Sequence, residues 1–136
     1  MKLNHIAIAV KSIEEQLKIW QDILGFKLKV VEDVPDQKVK VAVLDLGETK
    51  IELLEPLEET STISKFIEKK GEGLHHLCFL VADIEKALAS MKSHNVRLID
   101  EVPRIGVSGK KIAFVHPKDM GGVLIELLQK SEPRKG

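Results

Sequence analysis

Ile51-Glu52-Leu53-Leu54 is written twice in this chain, returning as Ile125-Glu126-Leu127-Leu128. The opening stretch returns as well: Leu3-Asn4-His5-Ile6-Ala7 is echoed by Leu74-His75-His76-Leu77-Cys78. The first echo is displaced by 74 positions and the second by 71, a difference that a small loop insertion accounts for. Each half of the chain therefore opens on a strand that carries a histidine and closes on a strand that carries a glutamate. Two copies are too few for a solenoid, so the pattern predicts a duplicated module within one compact unit.

The periodicities around these stretches give the same element order in both halves. Leu3–Val10 alternates His5, Ala7 and Ala9 with Ile6, Ile8 and Val10, which predicts a strand. Ser12-x-x-Glu15 is a capping box, and Ile13, Leu17, Trp20 and Leu24 then form one helical stripe ending near Gly25. Lys27–Asp33, Lys38–Leu46 and Lys50–Glu55 read as strands, with turns around Pro35-Asp36 and Gly47-Glu48-Thr49. In the second half, Leu74–Ala82 is a strand and Asp83 caps a helix that carries Ile84, Ala87, Leu88 and Met91. Val96–Val102, Lys111–Val115 and Val123–Gln129 are the remaining predicted strands. Between the halves, Thr60-Ser61-Thr62 caps a short helix through about Lys70. The expectation is one α+β domain over 1–136: module 1 at about 1–57, a connector at about 58–72 and module 2 at about 73–130. The two βαβββ modules would form a curved, eight-stranded, cup-like sheet around a metal site.

Composition removes several functional classes. Lys+Arg and Asp+Glu both number 21, so there is no basic field for nucleic acid. No window holds the roughly 18 consecutive apolar residues that a membrane span needs, and the N-terminus shows no signal-peptide pattern. Cys78 is the single cysteine, which predicts no intramolecular disulfide and no thiolate metal site and suits a reducing cytoplasm. The abundance of Lys and Glu leans toward a thermophile.

His5, Glu52, His76 and Glu126 are the candidate metal ligands. Each glutamate is embedded among Ile and Leu, and a carboxylate buried in such surroundings is paired or binds a metal. Two imidazoles and two carboxylates suit a divalent first-row ion, and cobalt, manganese, nickel and zinc all fit the set. His75 rivals His76, but the repeat pairs His75 with Asn4 and His76 with His5. Trp20 reads as core and His94 as surface.

Several stretches resemble a known family. Gly73-Leu74-His75-His76, His116-Pro117-Lys118-Asp119 and Gly122-Val123-Leu124-Ile125-Glu126-Leu127 are similar to the vicinal oxygen chelate superfamily and, within it, to the methylmalonyl-CoA epimerase family. Asn4-His5-Ile6-Ala7, Leu54-Glu55-Pro56-Leu57 and the Pro103/Gly106/Gly109 loop extend the likeness over nearly the whole chain. The resemblance implies a cytoplasmic, homodimeric isomerase that interconverts (R)- and (S)-methylmalonyl-CoA in propionate metabolism through a metal-stabilised enolate, with cobalt the first choice of ion. It carries His5, His76, Glu52 and Glu126 over as ligands, and Glu126 also as an acid/base. Some family members place a second catalytic glutamate at the position of Val41, so this chain departs from that scheme, and Glu52 is the candidate second base. A CoA thioester needs cations and close backbone approach, for which Lys110, Lys111, Lys118, Gly106 and Gly109 are candidates. A glyoxalase I-type lactoylglutathione lyase is the alternative reading, and a non-enzymatic small-molecule binding protein of the same fold is another. The His-Pro-Lys-Asp stretch counts against the lyase, and the low aromatic content of 4% counts against a binder of planar drugs.

Overall fold

Strand β1 (Lys2–Ala9) sends His5, Ala7 and Ala9 to one face and Ile6 and Ile8 to the other, and the rest of the first half is built to match that alternation. The structure is a computed structural model, which describes residues 1–131. It divides into two compact units, one of residues 5–75 and one of residues 76 onward together with Met1–Asn4.

In the first unit, β1 is followed by α1 (Ile13–Trp20), β2 (Lys27–Val34), β3 (Val39–Asp45), β4 (Lys50–Pro56) and α2 (Thr62–Lys70). The strands lie in the order β2-β3-β4-β1; β1 pairs parallel with β4, and the other pairings are antiparallel. One face carries Leu44, Ile51 and Leu53, which pack with Ile13, Leu17 and Trp20 of α1. The other carries Ala7, Ala9, Val39, Val41 and Leu54, which pack with Ile63, Phe66 and Ile67 of α2. The α-helix stops at Trp20 rather than running to Leu24. Gly25 takes the left-handed position at φ 79°, and Leu24, the last residue of the predicted stripe, is exposed.

The second unit repeats the plan with β5 (Gly73–Val81), α3 (Ile84–Ser93), β6 (Arg104–Ile105), β7 (Lys111–Val115) and β8 (Leu124–Gln129). The strands lie in the order β5-β8-β7-β6, and β5 pairs parallel with β8 as β1 does with β4. Ala113, Val115, Ile125 and Leu127 pack with Ile84 and Leu88 of α3. The described chain thus has eight strands and three α-helices in two βαβββ sets. Among the described residues, no helix is long and apolar enough to cross a membrane.

One predicted strand is corrected. Val96–Val102 does not form a strand; it makes a single bridge, Leu98 to Val115. The Asp100 carboxylate accepts the Phe114 N–H at 2.9 Å, and the Ile99 and Asp100 amides both donate to the Phe114 carbonyl. A side chain has replaced a ladder rung there. The chain then passes Pro103, which has no N–H to give, and regains β7 as β6.

The two helix starts show how closely the halves copy each other. Ser12 accepts the Glu15 N–H at 3.1 Å, and Asp83 accepts the Lys86 N–H at 3.0 Å. The next orphan amide is met from the last strand of each unit: Glu55 Oε1 accepts from Ile13 N at 2.8 Å, and Gln129 Oε1 accepts from Ile84 N at 2.7 Å. Such contacts satisfy donors that a helix start cannot satisfy internally. Glu55→Ala and Gln129→Ala should therefore each cost about 1 kcal/mol and lower the melting temperature by about 3–5 °C, with helix content otherwise kept. Thermal unfolding followed by circular dichroism checks this, and an unchanged midpoint in both variants would contradict it.

Candidate active site

The first half of the candidate site lies on the β1–β4 face opposite α1. Parallel pairing sets Ala7 beside Glu52, so His5 and Glu52 share that face. Val43 of β3 stands directly across from Glu52. His5 Nδ1 lies 3.4 Å from Glu52 Oε2, and their side chains are 10% and 23% exposed. Little water reaches either group, so each depends on the protein for polar partners.

The second half uses the same offset. Cys78 pairs with Glu126, which brings His76 and Glu126 to the face opposite α3. His76 Nε2 lies 3.1 Å from Glu126 Oε1, with side chains 10% and 14% exposed. Where the first unit has Ala7 and Val43 around its glutamate, the second has Cys78 and Phe114. The buried Cys78 thiol lies within 4.8 Å of a Glu126 carboxylate oxygen. The Phe114 ring meets His76 edge-on at 6.1 Å.

The donor chemistry of each pair fits a divalent ion. Ligand atoms about 2.1 Å from one ion stand about 3.0 Å apart at right angles and about 3.4 Å apart at the tetrahedral angle. The two observed separations, 3.1 and 3.4 Å, match that spacing. An imidazole and a carboxylate also suit the same borderline ions.

The other sequence candidates have structural partners. His75 turns away from His76 and packs edge-on against Phe66 of α2 at 4.9 Å. His116 caps the turn of Pro117–Asp119, its Nδ1 accepting from Lys118 N at 3.0 Å, while Asp119 accepts from Arg97 N at 2.9 Å. The His-Pro-Lys-Asp stretch therefore shapes the entry into β8, and the Lys118 side chain is exposed. Lys110 is exposed as well, whereas Lys111 is bound to Glu85, whose carboxyl that hydrogen bond holds below the usual carboxylate range. Gly106 packs on Ile112, where an added Cβ would come within 3.0 Å, and Gly109 closes the turn at φ 79°. Val41 is buried among Ala7, Val39, Leu54 and Ile63; across from it on β2 stands Glu32, exposed and on the same face, a residue that periodicity did not single out.

The chain belongs to the Glyoxalase/Bleomycin resistance protein/Dioxygenase superfamily, whose profile matches residues 4–114. An ethylmalonyl-CoA/methylmalonyl-CoA epimerase of Cereibacter sphaeroides is 42% identical over 94% of this chain and 97% of its own. A methylmalonyl-CoA epimerase from Mycobacterium tuberculosis superposes with TM-score 0.83 at 37% identity, covering 96% of this chain and 89% of that one. A methylmalonyl-CoA epimerase in complex with methylmalonyl-CoA and NH4+ gives TM-score 0.82 at 34% identity, covering 96% and 94%. Within the superfamily, then, this is a member of the methylmalonyl-CoA epimerase family, a family of isomerases. Likeness to the lyase branch is distant: a lactoylglutathione lyase of Arabidopsis thaliana is 24% identical over 93% of this chain and 43% of its own length.

An ion bound at either pair would stabilise only the folded state. Cobalt(II) at a hundredfold excess over its dissociation constant should add about 2.7 kcal/mol, seen as a higher melting temperature. His5→Ala and His76→Ala should each remove most of that gain. A wild-type protein that ignores divalent ions would show the pairs to be plain hydrogen bonds.

Proposed function

We propose that the protein interconverts (R)- and (S)-methylmalonyl-CoA by C2 proton abstraction through an enolate, with a divalent ion, cobalt first, held by His5, Glu52, His76 and Glu126. The observation that carries this reading is the imidazole–carboxylate pair repeated in the same register in both units. Relatives of closely similar length bear the epimerase name, and one was solved with methylmalonyl-CoA bound, which supports a CoA thioester as substrate.

The C2 hydrogen lies between a thioester and a carboxylate and is only weakly acidic. The ion, when bound, supplies a positive charge for the oxygen on which negative charge develops. The chain's own residues must move the proton. Epimerisation needs a base on one side of C2 and an acid on the other. Glu126 and Glu52, one from each repeat, take those two roles. Val41 carries no acid, so the two-glutamate scheme that includes that position does not operate here. His5 and His76, each beside one of the carboxylates, hold them in place, and the apolar neighbours Val43 and Phe114 limit water at the reacting pair.

The chain's buried thiol and its bacterial relatives support a cytoplasmic setting, and we propose a homodimer there, which light scattering at twice the chain mass checks.

In deuterated water the cobalt-loaded protein should place deuterium at C2 of (S)-methylmalonyl-CoA and invert it, both followed by NMR. A chelator should stop both, and Glu126→Gln should slow them by about a hundredfold or more. Absence of exchange, with turnover of the methylglyoxal–glutathione hemithioacetal, would overturn the reading in favour of the lyase.

A further inference from the structure

The second unit holds a guanidinium one ring away from the His76–Glu126 pair. Arg104 stands directly across from Ile112, so its side chain leaves the same face as Ile112, Phe114 and Glu126. Its Cζ lies 5.4 Å from the centre of the Phe114 ring, the ring that meets His76 at 6.1 Å. Asp100, fixed by the Phe114 N–H at 2.9 Å, reaches Arg104 Nε at 3.5 Å. That distance is well beyond the 2.7–2.9 Å of a full charge-assisted hydrogen bond, so Asp100 tethers the guanidinium without saturating it. The side chain is 58% exposed, which leaves the terminal donors accessible to a ligand.

From this geometry we infer that Arg104 is a specificity-determining residue that hydrogen-bonds the free carboxylate of the substrate. The inference rests on the epimerase reading. Such a substrate brings a carboxylate to a face that already carries Glu126, and like charge there must be offset. A guanidinium cannot lose its proton, and its planar fork matches a carboxylate. Stacked on Phe114, it is held before the ligand arrives, so less freedom is lost on binding. Lys110 and Lys118 are exposed, whereas the Arg104 guanidinium lies over the Phe114 ring. The Phe114 ring touches both Arg104 and His76, which favours the carboxylate at the reacting end over the remote phosphates of CoA.

The test compares malonyl-CoA, which has the carboxylate, with propionyl-CoA, which lacks it, by calorimetry on cobalt-loaded protein. Arg104→Ala and Arg104→Gln should weaken malonyl-CoA by about 10- to 100-fold, the effect of losing a charged hydrogen bond, and propionyl-CoA by less than about twofold. Arg104→Lys should recover part of the loss, and melting temperatures should stay near wild type. Equal weakening of both thioesters would overturn the proposal, because Arg104 would then serve the CoA moiety or the fold. Unchanged binding of both would overturn it too. If the wild-type protein binds neither thioester, the epimerase reading itself fails, and the proposal with it.

Discussion

A carboxylate in the middle of an apolar strand must be answered by another group, and this requirement arises twice in the chain. Glu52 lies between Ile51 and Leu53, Glu126 between Ile125 and Leu127, and neither reaches much water. An imidazole two residues earlier on the parallel neighbour's register supplies a partner each time. A slip of one residue in either pairing would send the histidine to the face covered by α1 or α3 and strand the glutamate. The register of β1 on β4 and of β5 on β8 is therefore tied to the chemistry of the pairs. Helices α1 and α3 follow from it, since the faces opposite the pairs are apolar and must be covered.

Duplication repeats more than the fold. The helix caps, the strand-borne second acceptors Glu55 and Gln129, and the parallel His/Glu offset all recur. Inversion at carbon needs proton transfer on two sides, and a module copied once offers two carboxylates of like surroundings. The copies have also diverged where chemistry differs. Cys78 and Phe114 replace Ala7 and Val43 beside the glutamate, and only the second unit sets an aromatic ring and a guanidinium on that face.

Strand alternation and cap spacing made much of this legible in the sequence. The face of His5, Ala7 and Ala9, the helix starts at Ser12, Ser61 and Asp83, and the element order of each half all stand in the structure. Val96–Val102 misled because its apolar residues satisfy a strand pattern, while the Asp100 side chain captures the amide a strand would have used. Leu24 continued a helical stripe on paper, but the helix ends before it. Arg104 was invisible because its meaning lies in contacts with Phe114 and Asp100, and no spacing rule links residues joined by a side-chain stack. The His-Pro-Lys-Asp stretch stood out as a motif, yet the reason for its residues is a capped turn.

The central claim is that one carboxylate from each repeat serves each side of C2. It is tested most directly by solvent deuterium exchange measured separately for (R)- and (S)-methylmalonyl-CoA in Glu52→Gln and Glu126→Gln, with bound metal quantified in both. The account predicts that each variant, still holding its ion, exchanges only one enantiomer, and that the two variants spare opposite enantiomers. Near-normal exchange of both enantiomers by metal-loaded Glu52→Gln would contradict it.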